Sequence, residues 1–165
     1  MLRNFSNKIK QQRGFTIIEV MIVLAIAGLI MVVVLVAVPQ LQRNQRDSAR
    51  QNVTARFSTE LGNYSSNNNG AYPFALTGTS GTITDFTTRY ITGKVELKNP
   101  KSGNDYAPSQ SAAVGTVPSE DQLLVYPGGS CSGESVTGTI SITSRQYAVR
   151  IALEGGATFY CVDNN

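Results

Sequence analysis

The chain has 165 residues and an apolar share of 41%, room for one modest domain and an accessory segment. It has no histidine, which removes the commonest general base and the commonest zinc ligand. No nucleophile–base motif takes their place, so no enzyme, cofactor or metal site is expected. The formal charge of +3 does not mark a nucleic-acid surface, because Arg3, Lys8, Lys10 and Arg13 all precede Gly14; without them ten basic residues face eleven acidic ones.

Taken in order, Met1–Gly14 is short, polar and basic, with nothing to bury. Phe15–Val38 follows with Glu19 as its only charge. A helix of that length spans about 36 Å, more than the roughly 30 Å of a bilayer core. Gly28 and Pro39 are its weak points, one through backbone freedom and the other through a missing N–H. Beyond them Ala49, Val53, Phe57, Leu61 and Tyr64 recur at spacings of four and three, an amphipathic stripe that reads as core. Arg43, Arg46 and Arg50 share part of another face and read as solvated or headgroup-contacting. One helix over 15–64 is expected, about 75 Å long, with a membrane-spanning first half.

The remainder, 65–165, reads as a β-rich head. Ser65–Pro73 (SSNNNGAYP) ends the helix, and a Thr-rich loop follows through Thr88. Lys94–Lys98 (KVELK) alternates like a strand, and Asn99–Tyr106 (NPKSGNDY) reads as a turn. Gln122–Tyr126 (QLLVY) is a stronger strand, stopped by Pro127, Gly128 and Gly129. Tyr147, Val149, Ile151 and Leu153 alternate with Ala148, Arg150 and Ala152, which predicts a strand buried on one face. Glu154-Gly155-Gly156 turns it back into Ala157–Val162, a hairpin. The fold class is therefore α+β, a long helix against a small antiparallel sheet. Cys131 and Cys161 admit a buried free pair or a disulfide. A membrane-directed N-terminus favours the bridge, which would close a loop of about 30 residues, worth roughly 3–4 kcal/mol in the chain-entropy model.

Glu19 is the anomaly. A cleavable secretory signal has a shorter apolar core and a small-residue cut site, which Leu35–Val38 does not supply. A plain single-span anchor accounts for the basic start but has no use for an acid in lipid. The stretch around Gly14, Phe15 and Glu19 resembles the processing site of type IV prepilins, with the acid fifth in what would be the mature chain. The resemblance implies cleavage after Gly14 by a prepilin peptidase and N-methylation of the new amino terminus at Phe15. It gives Glu19 a physical role, pairing with the amine of a neighbouring subunit and setting register as the helix leaves lipid. It also implies flexibility at Gly28. The family's usual helix-breaking proline would fall at Val36, whereas here it is Pro39.

The same resemblance implies partners: sister subunits in a homopolymer, the peptidase, an inner-membrane platform protein and an assembly ATPase. It places the chain in the cytoplasmic membrane with its head outside before assembly, and in a surface filament afterwards, serving adhesion, motility or DNA uptake. A minor pilin, or a pseudopilin of a type II secretion or competence system, is the alternative. An uncleaved membrane-anchored binding module is the second. In a filament, Arg43, Arg46 and Arg50 would have acids such as Asp47 and Glu60 of other subunits as partners. Some pseudopilins hold calcium in a C-terminal loop, with Glu120, Asp121 and Asp163 the candidate oxygens here, but no calcium-loop spacing is present and they read as surface charge. The sequons at Asn52 and Asn63 fall on the helix, so glycosylation is not expected. Thr77–Arg89 reads as the variable surface.

Overall fold

A computed structural model describes residues 14–74, 82–155 and 157–165. The leader residues Met1–Arg13, the loop from Ala75 to Gly81 and Gly156 lie outside the described residues. The chain divides into a first unit that ends at Leu41 and a second, Gln42–Asn165. Helix α1, Ile17–Asn67, supplies the first unit and opens the second.

In the first unit every residue from Gly14 to Leu41 is exposed. A run of Ile, Val, Leu and Met that none of the described residues covers needs another apolar surface, and this helix is long and apolar enough to cross a membrane. Gly28 and Pro39 both lie inside unbroken helix. Pro39 has no N–H for the carbonyl of Leu35, so one rung of the ladder is missing there.

In the second unit α1 presents Val53, Phe57, Leu61 and Tyr64, one stripe at helical spacing, to the core. Ala49, expected in that stripe, is only half-buried. The helix runs to Asn67, three residues past Tyr64, and is closed by the Gly70 N–H on the Ser65 carbonyl at 2.8 Å. Asn69 and Gly70 take left-handed backbone there, with φ of 54° and 80°, the ordinary helix stop.

Among the described residues the head holds six strands: β1 (Ala107–Gln110), β2 (Gln122–Pro127), β3 (Gly129–Ser132), β4 (Ser135–Gly138), β5 (Tyr147–Ala152) and β6 (Phe159–Asp163). The main sheet has the order β1-β2-β5-β6, and β3-β4 is a separate hairpin. The small antiparallel sheet expected from the sequence is present, with one parallel edge. β2, β5 and β6 are antiparallel, but β1 pairs with β2 in parallel register, Ala107 opposite Gln122. The chain between Gln110 and Gln122 is long enough to cross back, which parallel pairing requires.

β5 is buried at all six positions rather than on one face. Leu123, Val125, Tyr147, Val149 and Ile151 face α1, while Leu124, Tyr126 and Ala148 meet Val136 of the hairpin on the other side. Alternation therefore marked two cores. The expected strand at Lys94–Lys98 is not one. Lys94 and Val95 donate back to the Ile91 carbonyl, at 3.0 and 2.9 Å, so only Lys98 pairs, in a bridge to Asp105. Val95 and Leu97 alternate because they pin a loop to the core. The Thr-rich segment read as variable surface also contributes to packing. Short helix α2 (Ile83–Phe86) and a π-helical turn (Thr87–Ile91) bury Ile83, Phe86 and Ile91. Phe86 stands edge-on to Phe57 and Tyr64 at 5.5 and 5.7 Å, pairs worth about 0.5–1.5 kcal/mol each beyond their buried area.

Cys131 of β3 and Cys161 of β6 form a disulfide with Cα atoms 5.8 Å apart, closing a separation of 30 residues. Gly128 and Gly138 let the hairpin fold onto the sheet. A Cβ on Gly128, at φ +77°, would stand 2.3 Å from the Thr139 carbonyl oxygen. Gly128→Ala is thus expected to cost about 2–4 kcal/mol. A lowered melting temperature of the chain in detergent, followed by tyrosine near-UV dichroism, checks it; an unchanged midpoint refutes the close approach.

Candidate functional site

A helix that starts in lipid has a local difficulty. Its first N–H groups lack partners within the helix, and hydrocarbon offers none. Here Thr16 precedes the first helical residue and Glu19 is the third within it. The Thr16 N–H and hydroxyl both donate to Glu19 Oε2 at 2.8 Å, and the Glu19 N–H donates to Thr16 Oγ1 at 3.3 Å. This is a reciprocal capping box. The acid that looks stranded in the sequence therefore has partners within its own chain.

Gly14 and Phe15, upstream of the box, and Thr16 within it are non-helical and exposed. The backbone on either side of the Gly14–Phe15 amide is thus out of the helix, and Phe15 is 88% exposed. Gly14 would meet nothing within 4 Å if it carried a Cβ. The structure brings Phe15, Thr16 and Glu19 together within one turn. Gly28 and Pro39 lie farther along the same helix, and the cysteines belong to the other unit. Sequence reasoning missed Thr16, although its signal, Thr-x-x-Glu ahead of an apolar run, was present.

The arginines depart from the solvated face expected of them. Arg43 is exposed, but Arg46 binds Glu154 through Nε and Nη2 at 2.6 and 2.9 Å, and Arg50 is fully buried. Asp47 accepts the Glu154 N–H at 2.7 Å, so this acid is engaged within the chain. The Arg46 guanidinium holds the Glu154 carboxyl below the usual carboxylate range. Its folded value is depressed, so its contribution is present above the unfolded value and is lost as pH falls through the folded one.

The candidate calcium acids have other partners. Hydrogen bonds from Ser102, then Asn99 and Asn104, hold the Asp121 carboxyl low. Glu120 pairs with Lys101 at 2.9 Å, and Asp163 accepts the Cys131 N–H at 2.7 Å. Among the described residues no three His, Cys, Asp or Glu side chains converge as metal ligands would.

Comparison with known proteins bears on the helix start. Residues 9–35 match the family model described as the prokaryotic N-terminal methylation motif, the signature of type IV prepilins and related pilin-like proteins. The match takes in Gly14, Phe15, Thr16 and Glu19 and ends before the head. No curated protein and no solved structure matches the chain. A motif of this kind points to a structural protein made to be processed at its amino terminus, anchored by an apolar helix and joined to others like it.

Proposed function

We propose that this chain, which carries the type IV prepilin signature, is the precursor of a structural subunit of a type IV pilus. Hydrolysis of the Gly14–Phe15 amide by a prepilin peptidase releases Met1–Gly14 with a new carboxylate and leaves an amine on Phe15, which is then N-methylated. The apolar first half of α1 anchors the subunit in the cytoplasmic membrane, with the β-rich head outside. Extraction by the platform protein and the assembly ATPase passes the helix from lipid into a homopolymer at the cell surface.

The observation that carries this is the spacing of Gly14, Phe15 and Glu19 at the head of an uncovered apolar helix, within the matched motif. Once the amine exists, Glu19 of one subunit and the Phe15 nitrogen of the next are opposite charges in a low-dielectric bundle. Each is heavily penalised alone and much less so in contact. Register follows from that difference. Gly28 and the missing rung at Pro39 let the helix loosen as it leaves the bilayer. Adhesion, motility or DNA uptake fall to the head.

Mass spectrometry of the mature protein tests the proposal. An N-terminus at N-methylated Phe15 is expected, and a chain that keeps Met1 overturns it in favour of an uncleaved anchor. Sheared filaments in which this chain is the dominant protein assign the major subunit; a trace amount assigns a minor pilin, and a chain confined to a periplasmic assembly a pseudopilin.

A further inference from the structure

We propose that Thr16 positions Glu19 for assembly: the capping box clamps one carboxylate oxygen and presents the other to the amine of a second copy of this chain. The proposal rests on Glu19 being the register acid and adds a second residue to that role. Both Thr16 donors converge on Oε2, and among the described residues none donates to Oε1. The carboxylate thus has one held oxygen and one open one.

The surroundings of the open oxygen narrow the chemistry it accepts. Glu19 shares a shallow concavity with Phe15, Val20, Ile22 and Val23, an apolar notch with a single anionic feature. A solvated cation such as lysine or a metal ion would lose hydration there without replacement. An amine borne on a large apolar residue brings hydrocarbon to fill the notch beside the charge pair, and cleavage at Gly14–Phe15 of another copy produces that group.

Clamping also acts through entropy. A free glutamate explores several rotamers, and immobilising it during docking weakens the contact. Thr16 has already fixed it. The threonine hydroxyl suits this position because it donates to the carboxylate and accepts from the Glu19 N–H at once, while its methyl group stays compatible with lipid. Valine has nearly the same shape and does neither.

The test uses the full-length chain in a cell with its processing and assembly machinery. Thr16→Val, Thr16→Ser, Glu19→Ala and the double variant Thr16→Val/Glu19→Ala are compared. Intact mass reports cleavage and methylation, and quantitative immunoblotting reports sheared filament against membrane pool. Thr16→Val is expected to be cut normally and to yield about tenfold less filament, the effect of one lost charge-assisted hydrogen bond. Thr16→Ser should return to within about twofold of the parent, since it keeps the hydroxyl. In the Glu19→Ala chain the valine should lower the residual yield no further, because Thr16 acts through Glu19; a role confined to starting the helix would lower it again. Full assembly of Thr16→Val beside a failing Glu19→Ala overturns the clamp and leaves the register role standing. A serine variant as poor as valine, an uncut valine variant or an additive double variant also overturns it. Normal filaments from Glu19→Ala overturn both.

Discussion

Glu19→Gln subunits are expected to enter the membrane and be cut after Gly14, yet to yield filaments reduced by more than about tenfold, because a neutral side chain offers an incoming amine no charge to pair with. Glutamine is the informative substitution. It can still occupy the third helical position of a capping box, so the Thr16 N–H keeps its acceptor and the helix start is preserved. What disappears is the charge alone. Glu19→Ala removes charge and box together, and it should also insert, be cleaved, assemble poorly and be inefficiently methylated. Similar losses from glutamine and alanine mean that charge pairing dominates the energetics of register. A plain membrane anchor predicts the reverse, since removing an acid from an apolar helix eases insertion. Filament mass per cell, measured against the cleaved pool, decides between them; normal filaments from either variant end the register proposal.

How far these features were legible in the sequence depends on how locally each is encoded. The apolar run of Phe15–Val38 needed only composition, and the stripe Val53-Phe57-Leu61-Tyr64 only a period, so both could be read directly. The strands Gln122–Pro127 and Tyr147–Ala152 were visible through β-branched and aromatic runs. What could not be seen was what lies on the far side of the sheet. Ala148 looked like the outward half of an alternation, and Gln122–Tyr126 gave no face to Leu124 or Tyr126; only the disulfide-pinned hairpin with Val136 makes the three a second core. The parallel pairing of β1 was hidden for a similar reason: Ala107–Gln110 contains Pro108 and no large apolar residue, and its partner is set by where the chain returns. Long-range polar pairing was hardest to read. Arg46 and Arg50 carry the same signal as any exposed helical arginine, and their partners Glu154, Ala152 and Asn99 are 49 to 108 residues away. In the site, the motif around Gly14, Phe15 and Glu19 stood out through the resemblance, while Thr16 went unread although Thr-x-x-Glu ahead of an apolar run is itself a capping-box signal.

Asn99→Ala is expected to destabilise the head by about 2–4 kcal/mol, because it leaves a buried charged donor without its side-chain acceptor. Arg50 is fully buried, and its guanidinium donates to a carbonyl and an amide rather than to a carboxylate. Its Nη1 donates to the Ala152 carbonyl at 3.0 Å and its Nη2 to Asn99 Oδ1 at 3.2 Å. Asn99, itself buried, passes the interaction on, for its Nδ2 donates to the Asp121 carboxylate and to the Glu120 carbonyl. A neutral amide thus joins a cation in the core to an anion at the surface and spares Asp121 from burial. It also accepts the Lys101 N–H at 2.9 Å, so part of the loss will come from the turn over Asn99–Asn104 rather than from the charge. Arg50→Met separates the two contributions. A long apolar side chain fills much of the same volume, and replacing a buried ion by such a group is often neutral or better. Placed in the Asn99→Ala chain, Arg50→Met should restore more than half of the lost stability if the orphaned charge is the main cost. Denaturant midpoints at an unchanged slope give both numbers. If the methionine restores nothing, the cost belongs to the turn and the relay from Arg50 to Asp121 is incidental.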